Sequence, residues 1–259
     1  MPALLVHALA ALPEVRPGAD LAALIAGAWR SSAAQAATLA PRPGDVLVVT
    51  QKVVSKAEGR LVDLRTVEAR PEAVEFARRW ERDARQVEVV LRESAQVLRM
   101  ERGIIISRTQ HGFVCANAGV DASNTGEREV VTLLPVDPDR SARDLRRRLA
   151  EELGITVAVV ISDSFGRPWR FGIVDVALGA AGFKPLDDQR GRPDADGRTM
   201  RSTIVAVADE ICSAAELASG KTSRQPVVLV RGLSLARDES GQAGIVGDVV
   251  MPREMDLFR

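Results

Sequence analysis

The stretch VVISDSFGRPWRFG, Val159 to Gly172, decides how the chain is read. From Val157 to Ile161 the residues are all apolar and mostly β-branched, the composition of a buried strand. The run then meets Ser162, Asp163 and Ser164 and releases a loop crowded with Gly166, Arg167, Pro168, Trp169 and Arg170. A carboxylate in that place is expected at the strand's end, where a rigid scaffold holds it at the edge of a cleft. What the aspartate, the serine and the loop are for is the question the rest of the sequence must answer.

Working outward, DVLVVT (Asp45 to Thr50) is a second short apolar strand, and QKVVSKAEG after it reads as a short helix with Thr50 as N-cap and Gly59 beyond its end. A strand feeding a helix start offers backbone N–H groups to an anion. Lys52 and Lys56, four apart, share one face of that helix, either toward a ligand or as solvated charges. Pro71 to about Met100 fits one long amphipathic helix or two abutting ones. GIIISRTQHGFVCANAGVDASN (Gly103 to Asn124) reads as a hairpin turning at His111 and Gly112, then a polar loop at Val120 to Asn124. Pro135, Asp137 and Pro138 mark a linker, and Ser141 with Asp144 caps a basic helix to Leu153.

Beyond the opening stretch, IVDVALGAAGF supplies another strand and a glycine-rich turn, and Leu186 to Arg198 an irregular loop with four aspartates and three arginines. Thr203 to Leu217 is helical by period and stops at Gly220, and PVVLVRGL is a last buried strand. Hairpin-connected strands without regular βαβ alternation predict an α+β fold. The whole chain, 1–259, reads as one unit, its softest internal boundary near Leu134 to Arg140.

Composition narrows the function classes. The 259 residues are 46% apolar, enough for a normal core. Thirty-five basic and 35 acidic side chains cancel, so bulk charge gives no reason to expect a nucleic acid or an anionic membrane as partner. The longest apolar run ends after about nine residues, well short of a membrane span. Cys115 and Cys212 are too few for a disulfide scaffold, no leader is recognisable, and a reducing cytoplasm is expected.

Among the motifs, SGKTS (Ser219 to Ser223) ends like a phosphate loop, but Ala215 stands where the first glycine belongs and a helix precedes it where a strand should. Gly220 is better read as a helix C-cap. The two thiols and two histidines lack the spacing of a metal site or a nucleophile. The aspartates are more informative. Asp121, with Ser123 and Asn124 beside it, occupies a post-hairpin loop. Asp121 and Asp163 together either make an oxygen-rich site for magnesium or manganese between protein and phosphate, or bond their own turns. Trp169 with Arg167 and Arg170 either stacks on a planar anionic ligand or covers a sheet edge. Arg190 and Arg198 belong either to a substrate loop or to a solvated salt-bridge network.

Six collinear blocks, TQKVVSKAEGR, GVDASN, ISDSFGRPWRFG, ALGAAGF, DDQRGRPDADGR and PREMDLF, give the chain its resemblance to the coenzyme F420-0:L-glutamate ligase family, from Leu12 to Phe258. Ending at Arg259, it resembles the stand-alone form of that family. The resemblance implies the family's α+β fold with mixed and antiparallel sheets, an intertwined homodimer, and a GTP-dependent ligase joining L-glutamate to coenzyme F420-0 and then to F420-1 through an acyl phosphate. It implies two divalent ions, magnesium or manganese, with potassium as a further candidate. By position it places Asp121 and Asp163 on the first metal and Ser164 on the second. It places Leu12, Pro13, Glu14, Val15, Gln51, Lys56, Asn124 and the stretch Ser219, Gly220, Lys221 and Thr222 on GTP. No residue is nominated as the base for the incoming amine. Two other classes stay open: a nucleotide- or deazaflavin-binding protein without turnover, and a metal-dependent phosphohydrolase.

Overall fold

The computed structural model describes residues 3–123, 129–220 and 222–257. Asn124 and Lys221 therefore lie outside the described residues. In chain order the strands are β1 (Leu5–Ala8), β2 (Val46–Thr50), β3 (Leu61–Asp63), β4 (Ser94–Glu101), β5 (Ile104–Thr109), β6 (Val114–Ala116), β7 (Val130–Thr132), β8 (Ala158–Arg167), β9 (Arg170–Ala181), β10 (Asp187–Asp188), β11 (Ile204–Val205) and β12 (Val227–Arg231). The helices are α1 (Leu21–Gln35), α2 (Gln51–Ala57), α3 (Pro71–Trp80), α4 (Ala84–Glu93), α5 (Pro138–Leu153), α6 (Val207–Ser219) and α7 (Ile245–Asp248).

A five-stranded sheet ordered β1-β12-β2-β8-β9 forms the centre, its β2–β8 pair parallel and the others antiparallel. Alternation along β2 explains why it is buried on both sides. Leu47 and Val49 join Ile25 and Trp29 of α1 and Leu149 of α5, while Val46 and Val48 join Ile211 and Cys212 of α6. Each such side chain removed from water contributes about 1.5–3 kcal/mol. A third cluster, built on Leu64, Phe76, Val90, Ile105 and Val131, sits under α3, α4 and the sheets β3-β7 and β4-β5-β6. The mixed α+β class read from the sequence is the one observed.

Several boundaries differ from expectation, each for a local reason. Ser94 to Met100 is strand β4, because pairing with β5 from Ser94↔Thr109 onward overrides the helical period. Helix α5 begins at Pro138, three residues before Ser141, and its cap is Asp137, whose carboxylate accepts from the Arg140 N–H. Helix α6 begins at Val207, since Ile204 and Val205 pair with Asp188 and Asp187. Thr50 precedes α2 as expected but makes no side-chain cap bond. The expected glycine-rich turn is mostly strand: Gly179 lies inside β9, where a Cβ would come within 2.1 Å of the Pro138 carbonyl oxygen. Only glycine lets the start of α5 cross β9 so closely.

The strand of the opening question also runs further than expected. β8 continues through Asp163 to Arg167 and pairs antiparallel with β9, Asp163 opposite Val176 and Ser164 opposite Asp175. Asp163 thus stands in mid-strand, half-buried, and not at the strand's end.

Candidate active site

Three chain segments meet at one edge of the central sheet. The Thr50 N–H donates to the Pro226 carbonyl at 2.9 Å, which joins the start of α2 to the entry of β12. The Gln225 side-chain amide donates to the Leu9 carbonyl at 3.0 Å, which joins the stretch before β12 to the segment that follows β1. That segment continues through Leu12, Pro13, Glu14 and Val15, and Glu14 returns to α2: Lys56 Nζ donates to its Oε1 at 2.6 Å. Ser219 ends α6, and Gly220 and Thr222 lie on the connection into β12, with Gly220 at φ +61° capping α6 as read from the sequence. Gln51 is buried, and its amide nitrogen donates to Ser55 Oγ at 2.6 Å and the Leu133 carbonyl at 2.9 Å. Its side chain holds α2 in place.

The other lysine of α2 reaches the acidic residues. Lys52 Nζ lies 2.6 Å from Asp121 Oδ2 and donates to the carbonyl and Oγ of Ser123 at 2.9 and 2.7 Å. The Ser123 N–H and hydroxyl in turn donate to Asp121 at 2.6 and 2.9 Å. The Asp121 backbone is held in place, since Asp121 and Thr132 exchange both backbone hydrogen bonds. Burial would raise the Asp121 carboxyl, but Lys52 and the Ser123 donors together bring it below its ordinary value.

Asp163 is in the opposite state. Desolvation pushes its carboxyl up to about 7; the Ser164 N–H opposes this, the charges of Asp121 and Asp175 add to it, and Lys52 moderates it. Asp121 and Asp163, distant in sequence, therefore share one electrostatic neighbourhood. Asp175 of β9 joins them, a buried carboxylate that accepts the Ser164 hydroxyl at 2.6 Å and the Ser162 hydroxyl at 3.3 Å. The sequence reading did not single it out. Its signal was there: a lone acid in the apolar run of β9, where a buried charge has to have a purpose or a partner.

These donors are all oxygen, the preference of magnesium or manganese. Among the described residues no group of three or more His, Cys, Asp or Glu is arranged to hold a metal ion by itself. Such a partial shell fits an ion that arrives with phosphate oxygens and keeps them as ligands. The thiols are inert by contrast: both are buried and unpaired in disulfides, and burial, with Asp163 nearby, pushes Cys115 up to about 12.

The glycine-arginine-tryptophan loop goes elsewhere. β8 carries the chain ~13 Å past Asp163 before it turns, and Trp169 stands at the hairpin tip with φ +57° and 82% of its surface exposed. Arg167 and Arg170 flank it, exposed. Within one chain the tip stands exposed and away from the acidic cluster. The Leu186 to Arg198 loop closes on itself, with Arg190 on Asp188 at 2.6 Å, Arg192 on Asp187 at 3.0 Å, and the Arg198 N–H on Asp194 at 2.8 Å.

The profile of a family described as F420-0:Gamma-glutamyl ligase matches residues 10–232. The chain belongs to the F420-0:gamma-glutamyl ligase family. Proteins named Coenzyme F420:L-glutamate ligase are similar to it over most of their length. That of Methanopyrus kandleri is 47% identical over 247 residues, 95% of this chain and 94% of the relative. That of Methanothermobacter thermautotrophicus is 41% identical over 249 residues, 96% of each. That of Methanocaldococcus jannaschii is 38% identical over 217 residues, 83% of this chain and 85% of the relative. The family match includes all three segments of the sheet edge and both halves of the β8–β9 hairpin. Among the described residues no helix is long and apolar enough to cross a membrane.

Proposed function

We propose that the chain is a GTP-dependent ligase of coenzyme F420 biosynthesis that joins L-glutamate to coenzyme F420-0, and a γ-linked glutamate to F420-1, through an acyl phosphate. The observation that carries this reading is the convergence of Glu14–Lys56, Lys52–Asp121 and Asp163 at one sheet edge, in a chain so similar to proteins named for that reaction.

In this reading the segment Leu12 to Val15, Lys56, Asn124 and the Ser219 to Thr222 stretch hold the nucleotide, with Gln51 setting the position of α2. Asp121, Asp163 and Ser164 would hold two divalent ions, magnesium or manganese, with potassium as an additional ion. When bound, such ions supply charge neutralisation on the transferring phosphoryl group. Lys56 and Lys52, now on carboxylates, would exchange Glu14 and Asp121 for phosphate oxygens, which places their charge where it is needed. The γ-phosphoryl group passes from GTP to an oxygen of the substrate's terminal carboxylate, and the bond to GDP breaks as the new P–O bond forms. The glutamate amine then attacks the carboxyl carbon, the C–N bond forms, the C–O bond to phosphate breaks, and the amine sheds a proton. Activation is required because an unmodified carboxylate is a poor acyl donor.

Two apolar surfaces support a homodimer. The hairpin tip exposes Trp169, Phe171 and Ile173, and the β4-β5-β6 sheet exposes Leu98, Ile104 and Val114. Such patches mark association sites. The Arg167, Trp169 and Arg170 tip would then serve a neighbouring subunit, and Phe171→Asp should convert dimer to monomer in light scattering.

The test of function is incubation with GTP, manganese, glutamate and F420-0, followed by mass spectrometry. A gain of one glutamyl unit with GDP release supports the ligase. GDP release indifferent to glutamate and F420-0 would replace it with a phosphohydrolase, and binding without turnover with a carrier.

A further inference from the structure

Asp175 is more constrained than a structural carboxylate needs to be. It lies on β9 directly across from Ser164, and strand alternation brings Ser162, two residues earlier on β8, to the same face. One carboxylate oxygen takes the Ser164 hydroxyl at 2.6 Å and the other the Ser162 hydroxyl at 3.3 Å. Its own carbonyl accepts the Ser213 hydroxyl of α6 at 2.9 Å, which pins the backbone from the helix side. The residue is only 6% exposed. Burying a carboxylate costs several kcal/mol, and an apolar residue here would pack against α6 without that cost.

A serine hydroxyl has one proton and two lone pairs. Where a carboxylate accepts the proton, the lone pairs of that oxygen are turned away from the acceptor and gain basicity, as happens when metal-bound side chains are oriented by an acid behind them. We propose that Asp175 is a positioning residue: it fixes the Ser164 hydroxyl with its lone pairs toward the divalent cation. The inference rests on the metal-site reading above, in which Ser164 is a cation ligand.

The experiment is manganese binding to the whole protein, followed by the electron paramagnetic resonance of free Mn2+, with and without GTP, alongside circular dichroism and activity. Asp175→Asn should keep the fold, weaken Mn2+ binding by roughly tenfold to a hundredfold, and recover most of its kcat at high manganese. Ser164→Ala should show the same loss, and the double variant no further loss, because both changes break one contact. Losses that multiply in the double variant, or unchanged Mn2+ binding in Asp175→Asn, would overturn the assignment. If Asp175→Asn fails to fold, Ser164→Ala and a Ser164→Thr variant that keeps the hydroxyl decide: binding lost in the first and restored in the second supports the inference, and binding unchanged in both overturns it. Asp163→Asn separates the layers. If it abolishes Mn2+ binding while Asp175→Asn does not touch it, only the role of Asp175 falls; if it too leaves binding intact, the metal site falls with it.

Discussion

Two regions of this chain are rich in aspartate and opposite in character. In the Leu186 to Arg198 loop three of the four aspartates find a donor within a few residues: Arg190 on Asp188, Arg192 on Asp187, the backbone of Asp196 and Arg198 on Asp194. The Arg190 hydrogen bonds hold the Asp188 carboxyl down at about 2. At the sheet edge Asp121 comes from a loop far in sequence from the β8–β9 hairpin that carries Asp163 and Asp175, and Lys52 is the cation that moderates Asp163, whose carboxyl is pushed up to about 7. Local pairing settles charge within the loop. Tertiary convergence leaves an excess of negative charge that a cation can answer, and that is the arrangement expected of a site.

The largest effect should come from Asp163→Asn. Activity should fall by about a thousandfold or more, while the metal-free protein keeps its circular dichroism. Near-normal turnover at limiting metal would erase the contrast between the two regions. The same substitution sharpens it through pH. Because the folded carboxyl titrates near 7 and the unfolded one near its ordinary value, the native state binds the extra proton between those limits. The part of the metal-free protein's stability that Asp163 controls should therefore be full at acid pH, decline as pH rises from about 4 to about 7, and level off above. Asp163→Asn should lack that decline and be more stable than the parent at pH 8, by on the order of 2 kcal/mol once the solvent contact of a half-buried side chain is allowed for. Urea unfolding at several pH values reads this directly.

Next in size is Lys52→Met. Without the ammonium on Asp121, Mn2+ binding in the absence of nucleotide should tighten several-fold at pH 8, since a competitor for the carboxylate has gone, while GTP turnover falls. Weaker Mn2+ binding by isothermal titration calorimetry would show that Lys52 supports the cation site. The smallest effect belongs to the loop: Asp188→Asn should leave the melting temperature within about a degree and turnover within about twofold, because exposed pairs are screened. A large loss of turnover would move the loop into the site.

The sequence made the strands legible wherever burial on both faces wrote a continuous apolar run, as in β2, β8 and β12. It misled where pairing overrode period, as in β4 and β11, and where Gly179 marked a close crossing of backbones and not a turn. For the site, Asp163 stood out as a carboxylate closing an apolar run and Asp121 as a loop aspartate beside Ser123 and Asn124, while Lys56 was marked only by the family resemblance. Asp175 did not, because its meaning depends on Ser164 lying across the sheet, and strand register is not written in either segment alone. Lys52 was open for the same reason: its partner Asp121 is far away in the chain.

The parallel alignment of β2 with β8, Thr50 beside Ser162, acts as a ruler. It sets how far the lysines growing from one strand stand from the aspartate carried by the other. A slip by a single residue would advance one scale mark and also rotate Asp163 onto the wrong side of the sheet. Insertions before Val46 should thus be tolerated, whereas lengthening either strand between its first pairing residue and its functional side chain should silence the protein.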